Sequence, residues 1–252
     1  MTMARVVRST ALLALLLSAT PAFSAPDLFV EKSRLAPDFL DPGGVTFFTV
    51  TTRNQGDAAS AAADVRLRID EGNDGSFEHT LTLPLIALPP HARAVSRWQN
   101  AWTPIVGKHR FEVCADAGAV SGDGAPANNC VAQEFVVPPA TIPAGLDLMV
   151  YQVKLGRARD GRPMSFRAAL KNVGSVTIPN VTTSITIDAG TPIAGDGFDE
   201  VRDETKKTVR FARVWTASAG VHSFEICAQT TNPFDLDLAN NCASGTFVVR
   251  NP

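Results

Sequence analysis

After residue 24 the sequence has no apolar run approaching the ~20 residues that a bilayer-spanning helix needs, so no membrane span is expected there. Basic residues are not clustered. The 23 Lys and Arg are balanced by 25 Asp and Glu, and a nucleic-acid surface would need a basic stripe. There are four His and four Cys. No Gly-x-Ser-x-Gly elbow, His-Glu-x-x-His or Gly-rich phosphate loop is present. Such motifs would mark a hydrolase nucleophile, a zinc protease or a nucleotide site. No cofactor is therefore expected, and no enzyme. Beyond the first residues no segment keeps a 3.6-residue apolar period, which argues against a helical domain.

The N-terminus reads MTMARVVRSTALLALLLSATPAFSA. Arg5 and Arg8 precede an apolar run, Ala11 to Leu17, and Ala22-Phe23-Ser24 puts small residues at cleavage positions. This is the pattern of a secretory signal peptide, residues 1–24, with Ala22 as a second cleavage point. Its removal takes away Arg5 and Arg8 and moves the net charge from −2 to −4. The expected location is extracytoplasmic, either periplasmic or secreted.

The remaining sequence is written twice. At an offset of 118, Asn54-Gln55-Gly56 matches Asn172-Val173-Gly174, Phe48 matches Phe166, and Asp70 matches Asp188. Further on the offset is 113. There Trp102-Thr103 matches Trp215-Thr216, His109 matches His222, and Phe111-Glu112 matches Phe224-Glu225. At 112, Asn128-Asn129-Cys130 matches Asn240-Asn241-Cys242. Two modules follow, 25–137 and 147–252. Between them the Pro-rich segment 138–146 predicts a short stiff spacer, since proline fixes φ.

Each module has short runs rich in Val, Thr, Ile and Phe, separated by Gly, Asn, Asp and Pro. In the first they are Asp27–Glu31, Thr46–Arg53, Val65–Asp70, Phe77–Leu83, Ala94–Gln99, Lys108–Asp116 and Val131–Val137. Seven short strands at this spacing predict an all-β fold of two tandem immunoglobulin-like sandwiches. Around Phe111 the alternation puts Phe111, Val113 and Ala115 on one face and Glu112, Cys114 and Asp116 on the other.

An opening Asp-Leu, an Asn-x-Gly turn, a Trp-Thr before a Gly and a hairpin ending in Asn-Asn together resemble tandem CARDB modules, the cell adhesion related domains found in bacteria. The resemblance covers nearly all of the chain after residue 24. It implies an immunoglobulin-like sandwich and an extracytoplasmic binding or spacer role. The family hairpin usually carries acidic residues before Asn-Asn. Here Pro126-Ala127 and Leu238-Ala239 stand there instead, and Asp116 fits the strand pattern where Gln229 does not. The cysteine pair is an addition to the family pattern.

The repeat places one Cys in a late strand and one before the last strand of each module. This predicts Cys114–Cys130 and Cys227–Cys242 among the three possible connectivities. Strand parity puts Cys114 on the face of Glu112 and Cys130 on that of Glu134, so the bridge is expected on the outer face of one hairpin. Zinc ligands come in pairs two to four residues apart, and neither Cys spacing fits, so no metal is expected. His109 and His222 lie five residues before a Cys, on the opposite strand face, and read as structural. Asp70-Glu71-Gly72-Asn73-Asp74-Gly75 faintly matches the start of a calcium loop, but position 12 is Leu81. A hairpin turn is the simpler expectation, with Ala194-Gly195-Asp196-Gly197 as its counterpart. Trp102 matches Trp215 and Trp98 aligns with Phe211, so these rings are expected in packing, with an exposed stacking role for Trp98 as the lesser alternative.

These features point to a non-enzymatic binding, adhesion-type or spacer protein whose partner is an extracytoplasmic protein or glycan. Exposed loops and unpaired strand edges are its candidate surfaces, and the segments Asp116–Ala127 and Gln229–Ala239 look free in composition. A periplasmic chaperone or an accessory module of an exported hydrolase complex is the alternative. No paired basic residues for capturing a chain terminus are visible in the linear sequence. The prediction is that the oxidised, exported protein shows no free thiol on titration in denaturant. Two or more free thiols would contradict the pairing. Each closed loop should contribute roughly 3 kcal/mol in the chain-entropy picture.

Overall fold

The computed structural model describes residues 25–141, 143–231 and 235–250. The signal-peptide expectation, residues 1–24, lies outside the described residues. Seven strands form the first half: β1 (Leu28–Ala36), β2 (Phe47–Asn54), β3 (Ala63–Asp70), β4 (His79–Leu85), β5 (Arg93–Gln99), β6 (Gly107–Ala115) and β7 (Cys130–Val137). Each overlaps one of the seven runs read from the sequence, though β1 continues five residues beyond Glu31 to Ala36. The second half contains β8 (Leu148–Leu155), β9 (Pro163–Asn172), β10 (Ile178–Ile187), β11 (Ile193–Ala194), β12 (Phe198–Val201), β13 (Lys206–Thr216), β14 (Gly220–Thr230) and β15 (Cys242–Val249).

In the first half, β1-β2-β5 forms one sheet and β4-β3-β6-β7 runs in the other; all of these pairings are antiparallel. Alternate residues of facing strands fill the space between. Phe48 and Val50 from β2 meet Phe111 and Val113 from β6, and the Phe48 and Phe111 rings cross edge to face at 5.5 Å. That geometry suits the ring quadrupoles. The second half repeats the plan. Its β8-β9-β13 sheet faces β10-β14-β15, and Phe166 meets Phe247 at 5.7 Å. The fold is all-β and immunoglobulin-like, with one core in each half.

One detail differs from the sequence expectation. The counterpart of the Asp70–Gly75 turn is not Ala194–Gly197. The turn after β10 is Asp188-Ala189-Gly190, where Gly190 N–H donates to Ile187 C=O at 2.9 Å and Asp188 and Ala189 take φ of 51° and 55°. Residues 195–197 instead interrupt the strand that pairs with β10, separating β11 from β12. Gly195 permits this, because a Cβ there would meet the Phe211 ring at 2.3 Å. Trp98 packs, as its match to Phe211 predicts. It is 6% exposed and belongs to the first core, on the face opposite Arg97 and Gln99.

The halves are joined by more than the Pro-rich segment. Strands β7 and β15 pair through Gln133 and Gly245, so one sheet runs through both halves. Val248 of β15 packs into the first core, and Val136, Met149 and Val173 form a third cluster with Phe39 and Tyr151 against it. Gly245 makes the pairing possible. A Cβ there would lie 2.6 Å from the Ala132 carbonyl and 2.9 Å from the Phe224 ring. Gly245→Val is therefore expected to open the junction. Calorimetry should show about 1–3 kcal/mol of destabilisation, and limited proteolysis should cut faster at 138–146. Unchanged proteolysis would show that the junction does not depend on this contact.

Candidate functional site

The repeated motifs meet at one place in each half. Asn54 ends β2 and is fully buried. Its Oδ1 accepts from Asp27 N–H and Gly56 N–H, both at 3.0 Å. Its Nδ2 donates to the Ala58 and Leu88 carbonyls at 2.8 and 2.9 Å. Gln55 N–H returns a bond to Asp27 C=O at 2.7 Å. Asn128, from the Asn-Asn pair, donates from Nδ2 to Asp27 Oδ1 at 2.9 Å. Thus Asp-Leu, Asn-x-Gly and Asn-Asn, far apart in sequence, form one knot at the start of the first strand.

The second half ties the same knot. Asn172 Oδ1 accepts from Gly174 N–H at 3.0 Å, and its Nδ2 donates to the Val176 and Val201 carbonyls at 2.8 and 3.1 Å. Val173 N–H reaches Asp147 C=O at 2.8 Å, and Asn240 Nδ2 reaches Asp147 Oδ1 at 2.9 Å. The glycines are required by close approach. A Cβ on Gly56 would sit 2.2 Å from Ala25 C=O, and one on Gly174 would sit 2.3 Å from Gly145 C=O.

The disulfides close the same hairpins. Cys114 is joined to Cys130 and Cys227 to Cys242. Cys114 points away from the core, towards Glu112 and Arg66, yet it is only 1% exposed. The loops between the cysteines are not free in composition. Asp123 Oδ2 accepts Leu28 N–H at 2.8 Å, and Asp235 Oδ2 accepts Leu148 N–H at 3.3 Å. These two aspartates obey the same 112-residue offset as the Asn pairs, which is the signal that could have revealed them. Residues 232–234 of the second loop lie outside the described residues.

Burial first, and then the Asp235 and Asp237 charges, push the Asp147 carboxyl above its ordinary value of 3.8, against the Asn240 hydrogen bond. The Asp123 carboxyl is likewise raised, chiefly by burial. Glu134 goes the other way. Burial opposes it, but Asn73 at 2.8 Å, Lys108 at 3.0 Å and Ser244 N–H at 2.9 Å hold its carboxyl below the usual range. Glu134 thereby ties the Asp70–Gly75 turn to β15. In that turn the Asp70 carboxylate takes the N–H groups of Asp74 and Gly75 at 3.1 and 2.9 Å, and Asp74 takes Ser76 N–H. These donors make it an Asx-stabilised turn.

His109 and His222 sit in matching aromatic nests. His109 packs on Trp102 and Phe135, and His222 on Trp215 and Phe247. Ring nitrogens meet the Ile105 carbonyl at 2.8 Å and the Ser218 carbonyl at 2.7 Å. His222 also bonds Asp188 at 2.7 Å. Both are packing residues of a strand start. His79 pairs with Glu71 at 2.8 Å, and His91 with Asp57 at 3.5 Å. Among the described residues, two groupings bring three potential metal donors together: Glu112 with Cys114 and Cys130, and Glu225 with Cys227 and Cys242. In each the sulfurs are bonded to one another, which leaves one carboxylate and no thiolate.

Residues 25–133 match the family model of the CARDB domains. That region is similar to a CARDB domain. The match ends three residues past Cys130, so it spans both parts of the first knot. Several solved structures are similar. A CARDB domain from Pyrococcus furiosus, in complex with di-metal ions, is 24% identical with a TM-score of 0.37, over 46% of this chain and 96% of that one. A glucanotransferase from Paenibacillus, complexed with cycloisomaltoheptaose, is 17% identical with a TM-score of 0.36, over 46% of this chain and 15% of that one. No curated protein matches. CARDB domains are surface modules related to cell adhesion and generally non-catalytic.

Two predictions test the knots. Asn54→Ala leaves buried N–H and C=O groups unpaired and should cost about 3 kcal/mol, since each orphaned group costs about 1–3; chemical denaturation measures this. For Asp147 the sign follows from its raised value. The folded chain holds that proton after the unfolded chain has lost it, so ionisation opposes folding above pH 3.8. Asp147→Asn keeps an acceptor for Asn240. It should leave stability unchanged in acid and raise it as pH climbs from 3.8 to neutrality, as read from melting temperature across pH.

Proposed function

We propose that the chain is an exported, non-catalytic binding and spacing protein built from two repeated modules, 25–137 and 147–252, joined by 138–146. Residues 1–24 direct its export, and a protein or glycan outside the cytoplasm is its partner. The single observation that supports this most is the knot tied twice, each time beside a hairpin disulfide. A repeated structural device with its imidazoles, buried carboxamides and cysteines committed to packing and bridging fits a scaffold better than a reaction centre. Disulfides suit an oxidising compartment. Among the described residues the outer strands β1, β5, β8 and β13 each pair on one side only, which gives edges that a partner strand can join.

Fractionation of cells expressing the full chain tests this. The expected product starts at Ala25, lies outside the cytoplasm and carries four paired cysteines. Cross-linking in that fraction should recover a bound partner. An uncleaved, reduced cytoplasmic product would contradict export, and turnover of a small substrate by the purified protein would contradict the non-catalytic role.

A further inference from the structure

The two halves enclose a cleft of about 910 Å³. One wall carries β1 from Phe29 to Leu35 and the other carries β8 from Tyr151 to Leu155. Both are outer strands. β1 pairs with β2 and β8 with β9, and neither has a second ladder partner among the described residues. Each holds a bulge, between Val30 and Lys32 and between Val150 and Gln152. The cleft is thus walled by two strand edges that retain main-chain donors and acceptors.

Its charge is one-sided. Seven basic side chains line it against two carboxylates, Glu31 and Asp38, in a chain whose net charge is negative. Glu31 is already shared by three guanidinium groups: Arg93 at 2.9 Å, Arg250 at 3.2 Å and Arg53 at 3.6 Å. Asp38 takes Lys154 at 2.9 Å and Arg34 at 3.5 Å. Lys32, Arg157 and Arg159 are exposed. No carboxylate pairs with these three among the described residues. Lys32 lies in β1 and Arg157 and Arg159 just after β8, and the packing of the halves brings them to one cleft. A cleft lined by one sign of charge concentrates the opposite charge.

We propose that this cleft receives an extended acidic polypeptide segment, which adds a strand to the open edge of β1 or β8 and sets its carboxylates against Lys32, Arg157 and Arg159. The inference rests on the binding role given above and names its site and ligand class. The strand segments beyond each bulge, Lys32–Ala36 and Gln152–Leu155, keep a regular ladder register and favour a polypeptide over an acidic glycan. The aromatic rings offer no sugar platform: Phe29, Phe111, Phe135 and Phe247 are buried in the cores, and Tyr151 packs edge-on against Phe39 at 5.5 Å.

The test is fluorescence anisotropy on the mature full chain. The probe is a labelled peptide of alternating Glu and Val, compared with its Gln–Val and Lys–Val counterparts. The Glu–Val peptide should bind, weakening as salt is raised, with the Gln–Val peptide at least about tenfold weaker. Lys32→Ala/Arg157→Ala/Arg159→Ala should weaken Glu–Val binding about tenfold, while Arg97→Ala/Arg210→Ala, outside the cleft, should change it less than about twofold. N-methylation of alternate peptide amides should also cost about tenfold, because strand addition needs those N–H groups. Equal losses from both variants, indifference to N-methylation, absence of binding, or binding of polygalacturonate in preference to the peptide would each overturn the proposal. Correct export and cleavage alongside such a failure would remove only the cleft, and the binding-module role would stand on its own test.

Discussion

A buried carboxamide at the end of the second strand of each half is the contact on which the rest depends. The chain enters each sandwich as a strand whose first N–H and C=O groups have no ladder partner. Buried backbone groups must be paired. In the first half Asn54 bonds Asp27 N–H directly; in both halves the residue after the Asn bonds the opening Asp carbonyl. Asn suits the task because it offers two acceptor sites and two donors on one short side chain. Aspartate would lose the donors, and leucine would lose everything. The glycine two residues later clears the path for the incoming chain.

Once the entry is tied, the hairpin can serve it from the other side. Asn128 and Asn240 reach the opening aspartate, Asp123 and Asp235 hold the next N–H, and the disulfide shuts the hairpin base. The outcome is a strand start held by three separated segments. The remaining edges stay open, and two of them face a cleft whose walls come from different halves. Glu134 and Glu31 steady that arrangement, one binding the turn and β15, the other gathering Arg53 of β2, Arg93 of β5 and Arg250 just past β15. Exposed pairs of this kind add little singly. Glu31, shared three ways and largely covered, is the more constraining of the two.

The repeat made most of this legible. A shared offset marked Asn54 with Asn172 and Cys114 with Cys227 before any coordinates, and strand alternation placed Cys114 opposite the Phe111 core face. Trp98 was legible as a packing residue through its match to Phe211, and both are buried in their cores. The gaps have physical causes. Asp123 and Asp235 were hidden inside loops of different length and composition. Gly245, Val248 and the basic cleft depend on how two halves meet, and short-range periodicity says nothing about contacts between segments a hundred residues apart. The 195–197 interruption looked like a turn because Gly and Asp favour both.

Native-state hydrogen exchange at the knot tests the central claim most directly. The amides of Asp27, Gln55 and Gly56, and of Val173 and Gly174, lie in loops or at strand ends, where exchange is ordinarily fast. If the carboxamides bind the entry strands as described, these amides exchange only through global opening, with protection matching that of Val113 and Ile226 in the cores. Exchange at the rate of an exposed loop, with the cores still protected, would show that the sandwiches close without the knot.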